Sequence, residues 1–309
     1  MNQIPLSQIL LDLSDALEEL ALILAKQKVH DPELYARFRQ INRKIYSSEQ
    51  RLRAAKTSSA RKILRKAYNK NFLRQWLIER NIKIGKAIDS FKVDNRLYQV
   101  ADFLADHYNQ LEDFYKKLKI SQVRKKDEFT FTSTRAYITY IRRWAEMLLK
   151  AKLIDGFETV NDNTIEVDIA LIKEATAFIN GLWLEVFLRK EIARFMLQNA
   201  GKIITFDVLS DIQITLPNQQ AGEMDVLVMI NGKVFWFECK SGQIGRNYYE
   251  KYDYINRHVL HLDNGYSFLL LPQMQMHQPQ TIEQRTGMKA VFATDLDKQL
   301  PLVFNPAFL

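Results

Sequence analysis

The dipeptide Asn231-Gly232 stands between two apolar runs, Met224 to Ile230 and Val234 to Cys239. It is the pair most favoured for a two-residue type I′ hairpin turn. Such a turn sets the register: Ile230 faces Lys233 and, counting outward, Asp225 faces Glu238 and Glu223 faces Lys240. Side chains alternate along a strand, so Glu223, Asp225, Glu238 and Lys240 share one face. Met224, Val226, Val228 and Ile230, with Phe235, Phe237 and Cys239, are expected on the other. Leu227, Met229, Val234 and Trp236 make the charged face apolar as well. A strand pair apolar on both faces is normally covered on both, and carboxylates set opposite one another there are destabilising. The simplest compensation is a hard cation, Mg²⁺ or Mn²⁺, held by their oxygens with room left for water and phosphate. Lys240 then lies beside the reacting centre, where its charge can orient water or stabilise charge developing on phosphate. The plainer reading, surface charges on a half-buried hairpin, does not explain the two-sided apolar pattern. A bulge in either strand would alter the register and leave the charges in place.

At these residues the chain resembles a family. Asp225, twelve residues, then Glu238-Cys239-Lys240 is similar to the D…E-x-K core of the PD-(D/E)xK nuclease superfamily, with Met224 where the usual Pro would stand. The wider wording, GLWLE at 181–185, GEMDVLV at 222–228 and FECKSG at 237–242, resembles the nuclease domain of ancillary effectors in type III CRISPR systems. The resemblance covers about 173–309. It implies that Asp225 and Glu238 are metal ligands, with the backbone carbonyl of Cys239 as a third, that Lys240 is the catalytic lysine, and that Glu185 completes the metal's surroundings from the helix before the sheet. Glu223 reads either as a further site residue or as a salt partner of Lys240.

The surrounding pattern suits an α/β core. Residues 173–199 carry helical periodicity through Phe178, Leu182, Glu185, Leu188 and Ile192, with Gly201 as a C-cap. Lys202 to Leu216 reads as one or two strands, followed by the hairpin, a helix over 244–261, a strand at Tyr266 to Leu271 and a last strand near Ala290 to Thr294. This order predicts a mixed sheet with helices on both faces. On the helix after the site, Tyr248, Tyr249, Tyr252 and Tyr254 cluster with Arg246, Lys251, Arg257 and His258. Such a mixture stacks bases and neutralises phosphates, or packs on the sheet, and both readings stay open. The five histidines show no zinc-ligand spacing.

The net charge of +8 is unevenly spread. Residues 37–92 hold 17 Lys and Arg against the three acids Glu49, Glu79 and Asp89, whereas 128–309 hold 18 basic and 21 acidic residues. Helix-forming runs cover 5–28, 32–56, 58–82 and 95–119, so the first half reads as helical. With so few acids its helices repel themselves unless a polyanion neutralises them. Arg61, Lys62, Arg65, Lys66, Lys70 and Arg74, together with Arg246 and Tyr248 from the second half, are therefore the candidate nucleic-acid contacts. An acidic protein or a membrane surface remains an alternative partner for the basic helices. Thr132-Ser133-Thr134 offers N-caps for a helix to Lys150, and two short strands joined by Asn161-Asp162-Asn163 follow. That is either a winged-helix-like element, with Arg135, Arg142 and Arg143 meeting phosphate or base edges, or a plain spacer.

The single cysteine excludes an intramolecular disulfide framework and reads as buried filler. No run is long and apolar enough for a membrane span, and the N-terminus carries acids where a signal peptide would be basic, so a cytoplasmic location without membrane contact is expected. The fold class expected is α+β multidomain: a basic all-helical domain over 1–125, the helix and small hairpin over 126–172, and a restriction-endonuclease-like α/β core with a mixed central sheet over 173–309. The function expected is a Mg²⁺- or Mn²⁺-dependent nuclease acting on DNA ahead of RNA, in CRISPR-associated or other prokaryotic defence. A homodimer is compatible with this, though no residue marks one. The alternative is a non-catalytic nucleic-acid- or partner-binding module of a defence complex built on the same fold. Nothing in the first half resembles the cyclic-oligonucleotide sensor of the CRISPR effectors, so control by such a ligand is expected to come from elsewhere.

Overall fold

The computed structural model describes residues 57–91, 93–242, 244–262, 265–273 and 279–308. The chain divides into two units, Met1–Lys66 and Ala67–Leu309. Of the first, residues 57–66 are described and are helical; the helices expected over 5–28 and 32–56 lie outside the described residues.

In the second unit α1 (Phe72–Ile78) and the two-residue strand β1 (Lys83–Ile84) precede α2 (Asn95–Asp106) and α3 (Tyr108–Val123). Then come β2 (Glu128–Thr132), α4 (Arg135–Lys150), β3 (Gly156–Asn161) and β4 (Thr164–Asp168). α5 (Lys173–Ala177) runs through a wide turn at Phe178–Leu182 into α6 (Trp183–Gln198). The hairpin region is β5 (Phe206–Thr215), β6 (Ala221–Ile230) and β7 (Lys233–Cys239), followed by α7 (Arg246–Asp253) and its π-helical continuation Tyr254–Leu260. β8 (Ser267–Leu271), α8 (Pro279–Thr286), β9 (Lys289–Phe292) and α9 (Leu296–Phe304) complete the order.

Six strands form one mixed sheet in the order β1-β5-β6-β7-β8-β9. β1 through β7 pair antiparallel with their neighbours, and β8 and β9 add in parallel. The parallel pairs need crossovers, which α7 and α8 supply. Leu73 and Leu77 of α1 and Tyr252 and Ile255 of the α7 region cover one face, over Leu227, Met229, Val234 and Trp236. On the other, Phe235 and Phe237 meet Phe304 of α9, which in turn packs at a tilt on Phe195 of α6. The sheet is thus buried on both sides, as its two-sided apolar strands require.

The hairpin turn is the one the sequence predicts. Asn231 and Gly232 sit at φ +50° and +81°, and pairing runs from Ile230↔Lys233 to Val226↔Phe237 in the expected register. Asn231 also fastens the neighbouring chain: its Oδ1 accepts from Ile204 N at 2.8 Å and its Nδ2 donates to the carbonyls of Lys202 and Ala307 at 3.0 Å.

Contacts run across the limits expected near 125 and 172. β1 lies inside the stretch expected to be all-helical and forms the sheet edge against β5, while α1 packs into the sheet's core. The helix expected over 58–82 breaks near Tyr68, which bridges to Phe206 of the sheet. Phe114 of α3 packs on Phe129 and Phe131 of β2 and on Trp144 of α4, and Trp183 of α6 donates to the Tyr115 hydroxyl of α3 at 3.1 Å. Charge composition marks where Lys and Arg fall, but these aromatic contacts decide which helices pack together.

Thr134 caps α4 as expected, its hydroxyl accepting from Tyr137 N. β2, which the sequence pattern did not reveal, makes the small sheet three-stranded in the order β2-β4-β3. Arg142, a phosphate or base contact under the winged-helix-like reading alone, donates to the carbonyls of Asn161 and Asp162 at 2.7 and 3.1 Å and clamps the hairpin tip.

A Cβ on Gly232 would meet no atom within 4 Å, so a substitution there tests backbone conformation alone. Gly232→Val is expected to lower stability by about 1–3 kcal/mol and Gly232→Asn by clearly less, as read by urea unfolding. Equal losses would contradict the turn.

Candidate active site

Pairing between β6 and β7 stops at Val226↔Phe237, one step before the two carboxylates expected to face each other. β6 goes on along β5, with Glu223 opposite Gln213. β7 goes on along β8, with Cys239 beside Leu270 and the Lys240 amide bonded to Leu270 O at 2.9 Å. The strands splay, and side chains take over the vacated backbone groups. Asp225 Oδ2 accepts from Cys239 N at 2.7 Å, and Glu238 Oε1 accepts from Asp225 N at 3.3 Å and from Trp236 Nε1 at 3.1 Å. A cavity of about 610 Å³ opens at the splay, lined among others by Glu185, Glu223, Asp225, Glu238, Lys240 and Tyr248.

A second irregularity was not visible in the sequence. Asp211 of β5 stands at φ +49°, and pairing with β6 skips from Ser210↔Val226 to Ile212↔Met224, leaving Asp211 and Asp225 out of the ladder together. The alternation of faces changes there. Met224 joins the same apolar cluster as Leu227 and Met229, whereas strict alternation had set it with Val226 and Val228. Asp211 is the site residue that sequence reasoning missed. Its one signal was an acid inside an otherwise apolar strand, which does not announce a left-handed backbone. Arg189, one turn beyond Glu185 on α6, is buried and reaches Asp211 Oδ2 at 3.5 Å and Ser210 Oγ at 3.4 Å.

Glu185 enters through the wide turn before α6. Gly181 there has φ +152°, and a Cβ on it would come within 3.0 Å of Ser241 Oγ, so this turn can press against the segment after β7 only with glycine. Burial, then the charges of Asp225 and Asp211 and a hydrogen bond to Asp211, push the Glu185 carboxyl up to about 9. Burial also pushes Asp225 up to about 6, against the lowering effect of the Cys239 amide and Lys240. Glu238 is held well above the carboxylate range by its burial and by Asp225. The Tyr252 hydroxyl, hydrogen-bonded to Glu238, is raised as well, first by burial.

Lys240 does not pair with Glu223 as expected, because the strands have parted by then. Its ammonium rests 3.8 Å from the Tyr248 ring centroid, a cation–π contact worth roughly 0.5–1 kcal/mol when exposed. Lys251 of α7 also lines the cavity, and its charge acts on both Asp225 and Glu238. Tyr248 is thus brought to the site, whereas Arg246 pairs with Glu250 at 2.8 Å and is not among the lining residues. Arg74 and Lys70 turn to Asp89, at 2.7 and 3.8 Å, so part of their charge is already answered. Arg61, Lys62, Arg65 and Lys66 are exposed on the helical residues 57–66.

Among the described residues no three His, Cys, Asp or Glu side chains gather closely enough to hold a metal unaided. Mg²⁺ and Mn²⁺ do not need three, since one or two carboxylates with water and phosphate suffice. Two carboxylates whose charged forms oppose each other, in a cavity with room for water, fit such an ion, with the Cys239 carbonyl as the expected third donor. Cys239 itself is half-buried, its thiol raised by burial and by Asp225.

No family model matches the chain, and no curated protein sequence does. Solved structures match its fold. One is protein VC1899 from Vibrio cholerae, with a TM-score of 0.53 and 18% identity over 75% of this chain and 61% of that one. Another is Can2 from Sulfobacillus thermosulfidooxidans, solved in complex with cyclic tetra-adenylate, with a TM-score of 0.53 and 17% identity over 75% of this chain and 59% of that one. At such identity the likeness is one of fold, and the chain spans about three-fifths of the length of these proteins.

The raised carboxyls have a measurable consequence. The folded chain holds protons that the unfolded chain releases, so their contribution to stability is complete in acid and is lost as pH rises through about 6 for Asp225 and about 9 for Glu185. In EDTA the melting temperature is expected to fall across that range. Adding Mn²⁺ at the alkaline end should raise it, by mass action on the ionised site. A melting temperature indifferent to pH and metal would contradict this electrostatic account.

Proposed function

We propose that the chain is a Mg²⁺- or Mn²⁺-dependent nuclease that hydrolyses phosphodiester bonds, in DNA ahead of RNA, within CRISPR-associated or other prokaryotic defence. The observation that carries this reading is the splay between β6 and β7, which brings Asp225, Glu238 and Lys240 to one cavity at the point where backbone pairing ends. A fold without chemistry to perform would be more stable with apolar side chains there.

Asp225 and Glu238 would hold the cation, with the Cys239 carbonyl as a third donor. Once bound, such an ion supplies Lewis-acid stabilisation of a phosphoryl oxygen and lowers the pKa of water. The remaining work falls to the chain. Lys240, propped on the Tyr248 ring, presents its ammonium where negative charge grows on the phosphate. Lys251 adds a second positive charge toward the same carboxylates. Glu185, whose carboxyl is raised by burial and by its acidic neighbours when no cation is bound, would complete the metal's surroundings from α6. Tyr248, exposed at the rim, is suited to stack a base.

The exposed Arg61, Lys62, Arg65 and Lys66 supply the sequence-independent attraction to a polyanion. The solved neighbour with cyclic tetra-adenylate motivates one further arm of the test, addition of that nucleotide as an activator.

Purified protein incubated with plasmid, single-stranded DNA or RNA is expected to cut in Mn²⁺ or Mg²⁺ and not in EDTA. Glu238→Ala and Lys240→Ala should each lose about 10²-fold or more. Asp225→Asn should also be inactive yet melt higher than wild type in EDTA at neutral pH, because it removes a repelling charge. Cutting by Glu238→Ala and Lys240→Ala at the wild-type rate would overturn the assignment.

A further inference from the structure

One side chain of the cavity comes from outside the segment that bears the nuclease-like motif. Lys119, on α3, reaches in and donates to the Asn180 carbonyl at 3.1 Å and to Ser241 Oγ at 3.3 Å. Ser241 Oγ donates to the same Asn180 carbonyl at 3.2 Å. That carbonyl is turned toward them by the wide turn at Phe178–Leu182, and Gly181 permits the close approach to Ser241. The ammonium is therefore held by a built cradle of three elements: α3, the turn before α6, and the segment after β7.

Both named acceptors are uncharged. The lysines that act most on Asp225 and Glu238 are Lys240 and Lys251, so the acids of the site are already served. Burial first, and then the charge of Lys240, pull the Lys119 ammonium below the usual lysine range, and the Tyr115 ring centroid lies 5.9 Å from it. A half-buried cation set beside a like charge and bonded to neutral groups is an unfavourable arrangement for the protein alone. A polyanion that sets one phosphate against each lysine relieves it. Lysine binds phosphate as a point charge, and the opening on this side is lined by Gly242, where a Cβ would approach Lys119 Nζ to 3.9 Å.

We propose that Lys119 is a substrate-binding residue, gripping a phosphate that flanks the one cut while Lys240 faces the reacting phosphate. The idea rests on the nuclease reading for what the strand is, but it can be tested apart from cleavage. A purely structural role, tying α3 to the turn, is the competing explanation. Lys119→Gln separates the two, because it keeps a polar N–H donor on α3 and removes the charge, and the melting curve reads any loss of the structural tie.

Binding of a short dye-labelled single strand is followed by anisotropy in Ca²⁺ across a salt series, for wild type, Lys119→Gln and Lys119→Arg, with melting curves for each. Lys119→Gln is expected to melt close to wild type, to bind several-fold more weakly at low salt, and to show a log–log salt slope smaller by about 0.7, the loss of one phosphate contact. Lys119→Arg should restore the slope. In cleavage the same Gln variant should raise KM with kcat little changed. An unchanged slope in Lys119→Gln, or no binding by wild type, overturns the proposal. If wild type binds with the predicted slope change yet never cuts, the nuclease reading fails and the phosphate contact stands. If wild type cuts and Lys119→Gln binds identically, the reverse holds.

Discussion

Two carboxylates that the chain cannot comfortably keep ionised stand where two strands separate, and the surrounding architecture follows from accommodating them. Asp225 and Glu238 occupy the first position at which β6 and β7 no longer exchange backbone hydrogen bonds. Each accepts an amide of the other strand. These bonds keep the splayed ends from closing or drifting, and they orient the acids toward the cavity. The energetic tension is local, because burial raises both groups. It is tolerable because the sheet beneath is covered on both faces.

The tension is spread over several elements. β5 contributes Asp211 in a left-handed conformation, tied to the buried Arg189 of α6. α6 contributes Glu185 from its first turn, reached through the kink at Gly181. α7 contributes Lys251 and Tyr252, and α3 contributes Lys119. Charges from these four segments, together with those of β6 and β7, therefore bear on one cavity. α3 belongs to the aromatic core of Phe114, Tyr115 and Trp144, which links it to the small three-stranded sheet. The helix that carries Lys119 is thus anchored in that core and lines the cavity with this one side chain.

Much of the site was legible from a single turn. Asn231-Gly232 requires two consecutive positive φ angles, and few other sequences supply them cheaply. From that constraint the register, the shared face of Asp225 and Glu238, and the nearness of Lys240 all follow, and five cross-strand pairs obey it. Glu185 was an expectation of the family resemblance, while periodicity predicted only the helix that carries it, and α6 brings it to the cavity. Legibility ended where backbone pairing ended. Alternation assumes an unbroken ladder, and past Val226 each strand has a different partner. Hence Glu223 does not meet Lys240, and Met224 changes faces. The positive φ of Asp211 carried no glycine or asparagine to mark it. Charge density likewise reports what faces solvent, whereas α1, β1 and α3 are joined to the sheet and its neighbours by apolar and aromatic contacts.

The sequence by itself determined the hairpin, its register near the turn and the two opposed acids, because those depend on dihedral preferences and alternation within twenty residues. Only the tertiary structure decided which lysines answer those acids, that Arg142 and Arg74 serve internal partners, and that Lys119 enters from a distant helix. Contacts between segments far apart in the chain are set by which faces pack. The local pattern of a segment states that it has an apolar face but not which other face will cover it.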